Sequence, residues 1–213
     1  MTVTFGDKKG KKTPVYVDGA YIGALYPGEL RQYDLEDEGE ISEAALERVQ
    51  KECLLLRAKR YVMNLLLKAD KTEEELKRKL RENGYSEETS EGAIEYVRSF
   101  HYIDELRTAE NYIRTKMFSS SEKEIRYKLS EKGINDETID MAYDRIAEEN
   151  EDEEKGNTEL NAAESLLRKK LKTAPGEDLP YEEKQKLMSS AYRKGFRSET
   201  IREALENLLR EGR

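Results

Sequence analysis

The sequence predicts a mainly α-helical fold, with tandem three-helix repeats in an elongated, curved array, preceded by a small N-terminal β-hairpin or three-stranded element. Three observations predict it. Apolar residues recur at spacings of three and four over most of the chain. One short pattern of apolar residues and glycine occurs three times in register. The 213 residues are 39% charged and 36% hydrophobic, so the apolar side chains have to cover thin helical layers rather than one thick core.

The first 41 residues are predicted to form a β-rich extension. Residues 15–22 place β-branched and aromatic side chains on both sides of an Asp-Gly pair, which is a hairpin signal. Val3 and Phe5, at alternating positions, can supply a third strand, with a flexible basic loop between the strands. Because so small a sheet is not stable alone, we expect it to dock on the following helix or on the first repeat.

A connecting helix is predicted over residues 42–56. Ser42 suits its N-cap, and apolar residues follow at spacings of three and four. Cys53, the only cysteine, lies among leucines on this helix, so we interpret it as a buried structural thiol rather than a nucleophile. A single cysteine also excludes an internal disulfide framework and fits a reducing compartment.

The repeat is visible when the chain is superposed on itself. In each copy two apolar residues four apart are followed, four residues later, by a glycine and then by a large apolar residue. This pattern is typical of a helix that ends in a left-handed glycine cap closed by a hydrophobic contact. The three copies are Leu76, Leu80, Gly84 and Tyr85; Ile125, Leu129, Gly133 and Ile134; and Leu187, Ala191, Gly195 and Phe196.

Two further helices accompany the glycine-terminated helix in each copy. The leading helix carries equivalent apolar positions, for example Tyr61, Tyr112 and Leu166. The following helix is preceded by Ser86 in the first copy and by Asn135 in the second, and both residues suit an N-cap. Apolar positions, glycines and caps that keep register across three copies indicate a repeat architecture. The predicted domains are the extension at 1–41, the connecting helix at 42–56, and three-helix repeats at 57–104, 105–157 and 158–213.

Two insertions interrupt the repeats. Residues 148–157 are mostly acidic and predict an extended helix end and a hinge before the third repeat. Residues 173–180 contain two prolines and a glycine and predict a long loop inside the third repeat. We therefore expect the third repeat to swing relative to the second.

The charge and hydropathy of the chain limit its function classes. The net charge is −8, from 46 acidic and 38 basic residues, so the molecule is not a polycation that coats nucleic acid, and any DNA contact has to come from a local patch. The N-terminus lacks the apolar core of a signal peptide, and no stretch approaches the roughly 18 apolar residues of a membrane span. We expect a cytoplasmic protein without a membrane partner.

Catalytic chemistry has little support in the sequence. It contains no phosphate loop, dinucleotide fingerprint or cluster of metal ligands, and it has one histidine and one cysteine. We interpret His101 as a partly exposed residue in the turn that links two repeats. The carboxylates alternate with Lys and Arg at helical spacing, as in Glu74 and Arg78, which indicates surface ion pairs. No enzyme activity, metal or cofactor is therefore expected.

The basic residues are better candidates for binding a partner. They recur at comparable places in the repeats, so a linear basic track along one edge, following a helical polymer, is physically reasonable. The alternative, a merely solvated face, stays open because acidic residues lie close to most of these positions. The candidates are Lys68, Lys77, Arg78, Arg81, Arg114, Lys116, Arg126, Lys128, Arg168, Lys169, Lys170, Arg193 and Lys194.

The chain has 13 tyrosines and no tryptophan. Tyr61, Tyr112 and Tyr143 lie on predicted apolar stripes. We favour packing of these rings in the core, with the hydroxyl at its edge, over stacking on nucleic-acid bases.

Residues 58–104 resemble the RecX regulatory proteins, above all in the stretch Thr-Glu-Glu-Glu-Leu-Lys-Arg-Lys-Leu-Arg-Glu-Asn-Gly-Tyr-Ser at 72–86. The resemblance covers roughly residues 56–209. Such proteins are bacterial modulators of the RecA recombinase, built from tandem three-helix repeats, and some carry an N-terminal extension. The resemblance implies a non-enzymatic, monomeric ligand that lies along the groove of the RecA filament on single-stranded DNA and restrains its growth or activity.

The chain departs from the usual pattern of these proteins at residues 118–122. A basic, glycine-containing turn is usual there, and this chain has Phe-Ser-Ser-Ser-Glu. The departure argues against a phosphate contact at the turn. Ser121 is instead predicted to be a helix N-cap.

A DNA-binding module without a recombinase partner is the alternative function. One three-helix unit would then act like a helix-turn-helix. The net charge of −8 argues against this alternative. A weak direct DNA contact through a local basic patch is compatible with either function.

Overall fold

The structure is a computed structural model that describes residues 1–149, 158–171 and 179–210. The chain divides into two compact units, Met1–Asp104 and Glu105–Arg213. The segment predicted as an acidic hinge lies almost entirely outside the described residues, and so does most of the loop predicted inside the third repeat.

The first unit begins with a three-stranded antiparallel sheet in the order β1-β2-β3. Its strands are β1 (Val3–Phe5), β2 (Thr13–Val17) and β3 (Ala20–Leu25). Asp18 and Gly19 join β2 to β3 with φ values of 48° and 82°. Positive φ at both central residues is the type I′ geometry that suits a two-residue hairpin. The predicted three-stranded element is therefore confirmed.

A continuous helical segment follows the sheet and a short helix, α1 (Pro27–Gln32). Ser42 caps α2 (Glu43–Arg48) through its side chain, as the sequence predicts. Helix α2 leads directly into a π-helical segment, Val49–Leu55, and then into α3 (Leu56–Leu66). The connecting helix thus runs into the first repeat without an intervening loop.

The π-helical geometry differs from the α-helix that the spacing of apolar residues predicts here. Residues five apart are hydrogen-bonded neighbours in a π-helix, so Val49 and Leu54 lie on one side of the segment, and both are completely buried. A Cβ atom added to Gly23 of β3 would lie 2.9 Å from a methyl group of Leu54. The sheet therefore docks on this segment by a close approach that requires glycine, in agreement with the expected docking.

Cys53 lies on the same segment and is 9% exposed. Burial, and then the negative charge of Glu29, raise the pKa of its thiol to about 11. The thiol is therefore protonated at neutral pH and packs as a small apolar side chain. This environment agrees with its interpretation as a structural cysteine.

Each repeat is built of three helices. The first repeat consists of α3, α4 (Glu73–Glu82) and α5 (Glu87–Ser99). The second consists of α6 (Glu105–Lys116), α7 (Glu122–Glu131) and α8 (Asp136–Glu149), and the third of α9 (Thr158–Lys170), α10 (Tyr181–Arg193) and α11 (Ser198–Arg210). In every repeat the first and third helices pack most extensively against each other.

Every repeat has its own apolar core. The paired apolar residues of the middle helices lie in these cores, and each is 5% exposed or less. They are Leu76 and Leu80, Ile125 and Leu129, and Leu187 and Ala191. The prediction of a mainly helical fold with tandem three-helix repeats is confirmed.

The middle helices end with the same geometry in all three repeats. Gly84, Gly133 and Gly195 have φ values of 81°, 86° and 88°. The N–H group of the residue after each glycine donates to a carbonyl five residues earlier, at 3.2, 3.1 and 3.4 Å respectively. That following residue is 4% exposed or less in each repeat. These contacts form a Schellman motif, in which a left-handed residue ends the helix and a hydrophobic contact closes it.

Candidate partner-binding surface

The predicted basic residues differ in how they are already held within the protein. Ion pairs with carboxylates involve Lys77, Arg78, Arg81, Arg114, Arg126, Lys128 and Lys194. Lys170 donates to the hydroxyl of Ser190, and Arg168 also has an interaction partner. Within the residues that the structure describes, Lys68, Lys116, Lys169 and Arg193 form no ion pair. These four cations can bind an external anion without first leaving a carboxylate.

The cations of α4 are paired with carboxylates on the surface of the first repeat. Lys77 lies between Glu73 and Glu91, with N–O distances of 3.1 and 2.7 Å, and joins α4 to α5. Arg81 reaches Glu74 at 2.8 Å. The Arg81 and Glu74 side chains are about half exposed, and ion pairs this exposed contribute only about 0–1 kcal/mol. Arg81 can therefore exchange its carboxylate for a group on a partner. The predicted role of these residues in binding stays a prediction.

Arg126 has a structural role that its place among the basic candidates did not indicate. Its guanidinium donates to Glu122 at 2.7 Å and to Asp140 at 2.6 Å, which ties α7 to α8. The same group lies 4.8 Å from the centre of the Tyr143 ring. Burial opposes the charge, but the two hydrogen bonds outweigh it and raise the pKa of Arg126. Arg126 is therefore held on three sides within the second repeat.

The ring of Tyr143 packs on the core as predicted for the stripe tyrosines, but its hydroxyl is buried. Its ring is half-buried against the core of the second repeat, and burial raises the pKa of its hydroxyl well above the usual range. Among the described residues the buried hydroxyl has no hydrogen-bond partner. The ring thus serves the core and the cation–π contact.

The turn before α7 joins the second repeat to the third. Ser121 is completely buried and caps α7 by accepting a hydrogen bond from the N–H of Glu124 at 3.1 Å. Its hydroxyl also donates to the carbonyl of Lys194 at the end of α10. The ammonium of Lys194 lies 2.8 Å from Glu124, and a Cβ atom added to Gly195 would lie 2.9 Å from the Ser121 Oγ atom. The serine turn is therefore part of a packed junction.

A similar junction joins the sheet to the first repeat. The N–H of Ala24 donates to the carbonyl of Gly84 at 2.7 Å, and the hydroxyl of Tyr21 donates to the same oxygen at 2.8 Å. The ammonium of Lys12 donates to the main-chain carbonyl of Asn83 at 2.8 Å and to its side-chain oxygen at 2.6 Å. These donors satisfy carbonyl groups at the end of α4 that have no partner within the helix.

Arg57, a residue outside the predicted set, forms the centre of this junction. Its guanidinium pairs with Glu29 and donates to the carbonyl of Ala24 at 2.6 Å and to the hydroxyl of Tyr85 at 3.2 Å. It also lies 5.3 Å from the ring centre of Tyr26. The sequence shows Arg57 only as an arginine on a leucine-rich helix. Its partners could not be predicted, because they are distant in sequence.

An exposed aromatic cluster lies at the end of the first repeat. The rings of Phe100 and Tyr102 stack with their centres 5.7 Å apart, and Tyr96 meets Phe100 edge-on at 5.1 Å. Phe100 is 52% and Tyr102 44% exposed. The ammonium of Lys59 lies 4.5 Å from the centre of the Tyr96 ring. We call these four residues the aromatic cluster; it was not predicted from the sequence.

The structure also bears on the histidine, on metal ligands and on membrane-spanning helices. His101 is exposed, next to the aromatic cluster, with a φ of 55°. Across residues 1–149, 158–171 and 179–210, no three or more His, Cys, Asp or Glu side chains come together as a metal site. Over the same ranges no helix has both the length and the apolar character to cross a bilayer.

Comparison with family models identifies two of the three repeats. The model of the first three-helix domain of RecX matches residues 58–96, and the model of the third three-helix domain of RecX matches residues 157–205. These ranges coincide with α3 to α5 and with α9 to α11. Family models and structure thus agree on the first and third repeats.

Comparison with whole proteins also finds RecX regulatory proteins. The chain is 30% identical over 105 residues to "Regulatory protein RecX" of Clostridium perfringens (strain 13 / Type A), which covers 49% of this chain and half of that protein's length. It is 28% identical over 204 residues to the protein of the same name from Clostridium acetobutylicum, covering 96% of this chain and 93% of that protein. Among solved structures, "Crystal structure of regulatory protein RecX" is 22% identical in sequence to this chain and covers 95% of it, with 99% of its own length matched. The TM-score of 0.61 shows that the two share a fold.

Proposed function

Since the chain belongs to the RecX family, we propose that it is a non-catalytic regulatory protein that binds the RecA recombinase filament on single-stranded DNA and restrains its recombination and ATPase activities. One observation carries the proposal, namely the similarity to the Clostridium acetobutylicum regulatory protein over 96% of this chain. The helical repeats support it, because stacked repeats offer extended surfaces for a partner protein rather than an enclosed pocket for a substrate.

The aromatic cluster is the proposed anchor for the recombinase. Exposed aromatic rings beside a cation are the residue types that contribute most to protein–protein affinity, since they bury large areas at low cost in side-chain entropy. Phe100 and Tyr102 already stack on each other, so their conformations need little further ordering on binding. Lys59, held against Tyr96, adds a positive charge at the edge of the cluster.

The cations of the repeats are proposed to steer the encounter with the filament. Lys68, Lys116, Lys169 and Arg193 supply positive charge directly, and exposed pairs such as Arg81 with Glu74 can exchange partners. Such contacts act mainly on the association rate and depend on salt. This division assigns affinity to the aromatic cluster and salt-dependent association to the basic residues.

A pull-down with the host recombinase tests the proposal directly. The full chain is immobilised, and RecA is added alone, with single-stranded DNA, and with DNA and a non-hydrolysable nucleotide. We expect retention to be strongest in the last condition, in which the filament forms. The variant Phe100→Ala/Tyr102→Ala is expected to retain less RecA, while Tyr181→Ala, which truncates a 76% exposed ring elsewhere, is the matched control.

The helix-turn-helix alternative gives a different outcome in the same experiment. A DNA-binding module would retain duplex DNA in the absence of RecA, and its binding would weaken steeply with salt. It would retain RecA only through DNA, so nuclease treatment would release the recombinase. Retention of RecA without DNA contradicts this alternative.

A further inference from the structure

An open cleft lies between the β-sheet and the first repeat, apart from the aromatic cluster. Its volume is about 870 Å³, which is in the range of ligand sites. One wall is the loop of residues 6–12 with the adjoining strands, and the other is the end of α4 at residues 81–84. Of the residues proposed to bind the recombinase, Arg81 alone lines this cleft.

Positive charge dominates the cleft. Lys9, Lys11, Lys12 and Arg81 line it, against the two carboxylates of Asp7 and Glu82. Arg81 is itself paired with Glu74, so the lysines carry the positive charge. The Glu82 carboxylate is already neutralised by Lys79 at 2.7 Å. Lys8, next to the cleft, adds to the basic loop, and within the described chain none of Lys8, Lys9 and Lys11 forms an ion pair. The cleft therefore attracts an anion.

The basic loop has a defined shape. Lys9 and Lys12 exchange main-chain hydrogen bonds of 3.0 and 3.3 Å, and Gly10, with a φ of 64°, forms the tip between them. Lys12 is fixed further by Asn83. Burial, and then the charge of Arg57, lower the pKa of the Lys12 ammonium. An anion beside it would favour the charged form and so oppose both effects. The backbone that carries the lysines is thus fixed before a ligand arrives.

Tyrosine rings line the same cleft. Tyr16 and Tyr21 lie 5.4 Å apart between ring centres. Tyr21 and Tyr26 are 37% and 39% exposed, and the Tyr26 ring also contacts Lys12 at 5.1 Å and Arg57 at 5.3 Å. The hydroxyl of Tyr21 is engaged by the carbonyl of Gly84, which fixes the orientation of its ring. Partly exposed rings beside ordered lysines are the combination by which proteins hold unpaired nucleotides, with phosphates on the cations and bases on the rings.

We propose that this cleft binds a short segment of single-stranded nucleic acid, with backbone phosphates at Lys9 and Lys11 and a base stacked on Tyr26. A duplex is a poorer ligand, because its bases are stacked inside the helix and cannot reach the rings. An acidic peptide would use the lysines but would leave the tyrosine faces unmatched. The inference concerns nucleic acid alone and does not depend on the recombinase.

Fluorescence anisotropy of a short labelled oligothymidylate with the full chain tests the proposal. The variant Lys9→Ala/Lys11→Ala is expected to bind more weakly and to reduce the slope of log affinity against log salt by about 1.4, roughly 0.7 for each phosphate contact. Lys184→Ala/Lys186→Ala removes two lysines from α10 and is expected to keep the wild-type slope. Tyr26→Leu is expected to weaken binding about tenfold, while Tyr26→Phe keeps the ring and the affinity.

Three results would overturn the proposal. If the Lys9→Ala/Lys11→Ala variant kept the wild-type affinity and the wild-type slope of log affinity against log salt, the loop would not be part of the site. Equal losses in the two lysine variants would reduce the binding to general attraction. Tighter binding of a labelled polyglutamate than of oligothymidylate, with the same dependence on Lys9 and Lys11, would assign the cleft to an acidic peptide. Circular dichroism of each variant checks that its helices are intact.

Discussion

The hydroxyl of Ser121, at the start of α7, donates a hydrogen bond to the main-chain carbonyl of Lys194, at the end of α10, 2.6 Å away. In the first unit the ammonium of Lys12 donates to the carbonyl of Asn83 at the end of α4. Asn83 and Lys194 occupy equivalent positions, each directly before the glycine that ends a middle helix. In both places the end of the middle helix is therefore completed by an element that precedes the repeat in sequence.

The equivalence gives the N-terminal sheet a structural role. It caps the first repeat as the second repeat caps the third, although a strand and a lysine replace a helix and a serine. Terminal units of repeat proteins commonly have such a capping function, since an open repeat end exposes apolar and polar groups that need partners. The extension is thus part of the folding unit of the first repeat.

Substitution of Gly84 by alanine tests the close approach at the sheet junction. Gly84→Ala places a Cβ atom 2.8 Å from that of Ala24 in a backbone with a φ of 81°. Gly19→Ala is the matched control, because Gly19 has a φ of 82° and no atom near its Cβ position. We expect the control to lose about 1–2 kcal/mol of unfolding free energy through backbone strain, and Gly84→Ala to lose clearly more in urea denaturation. Equal losses would show that the sheet does not press on the glycine.

Substitution of Ser121 by alanine tests the junction of the second and third repeats. It removes a helix cap and leaves the carbonyl of Lys194 without its donor, so we expect a loss of roughly 2–4 kcal/mol. Ser42→Ala removes an exposed cap that accepts from the N–H of Ala45 at 3.2 Å, and it is expected to cost about 1 kcal/mol. Thermal or urea unfolding measures both. If Ser121→Ala lost no more unfolding free energy than Ser42→Ala, Ser121 would not stabilise the junction of the two repeats.

The two basic residues Arg126 and Lys128 are expected to respond differently to truncation. Arg126→Ala removes two carboxylate contacts and the contact with the Tyr143 ring, and we expect a loss of about 1–2 kcal/mol of unfolding free energy. Lys128 is 48% exposed and pairs with Glu131 on its own helix, and its ammonium also lies 5.3 Å from the centre of the exposed Tyr127 ring. Lys128→Ala is therefore expected to change the unfolding free energy by less than about 0.5 kcal/mol. Similar effects of the two variants would remove the structural role assigned to Arg126.

The raised pKa of the Cys53 thiol predicts that the free energy of unfolding falls at alkaline pH. Burial raises the pKa of its thiol from 9.0 to about 11, so between these values the folded state holds the proton that the unfolded state has released. The stability contributed by the protonated thiol is then complete below pH 9.0 and is lost as the pH rises towards 11. We expect Cys53→Val to lose less stability than the wild type over this interval in urea denaturation. Parallel pH profiles of the two proteins would contradict the buried thiol.

The helical repeats could be predicted from the sequence because their signals are local. Apolar spacing, N-cap residues such as Ser86, and the glycines after each middle helix report on contacts within a few residues. The π-helical turn at Val49–Leu55 was not predictable in this way. Its Leu54 packs against Gly23 of the sheet, a contact between residues about thirty positions apart that no local pattern indicates.

The candidate surface was less predictable than the fold for a related reason. Basic residues look alike in a sequence, but Arg126 is tied into the second repeat while Lys116 forms no ion pair in the described chain. Pairing depends on which carboxylates the fold brings near. The aromatic cluster was missed because exposed rings follow no period, and the cleft was missed because its two walls lie about sixty residues apart in sequence.

Hydrolysis of ATP by RecA on single-stranded DNA tests the central proposal most directly. We expect stoichiometric addition of the full chain to slow hydrolysis, because a protein bound along the filament restrains its growth or turnover. The Phe100→Ala/Tyr102→Ala variant should slow it less than the wild type, and Tyr181→Ala should act as the wild type does. An unchanged rate of hydrolysis at stoichiometric amounts of the wild-type chain would contradict the proposed function.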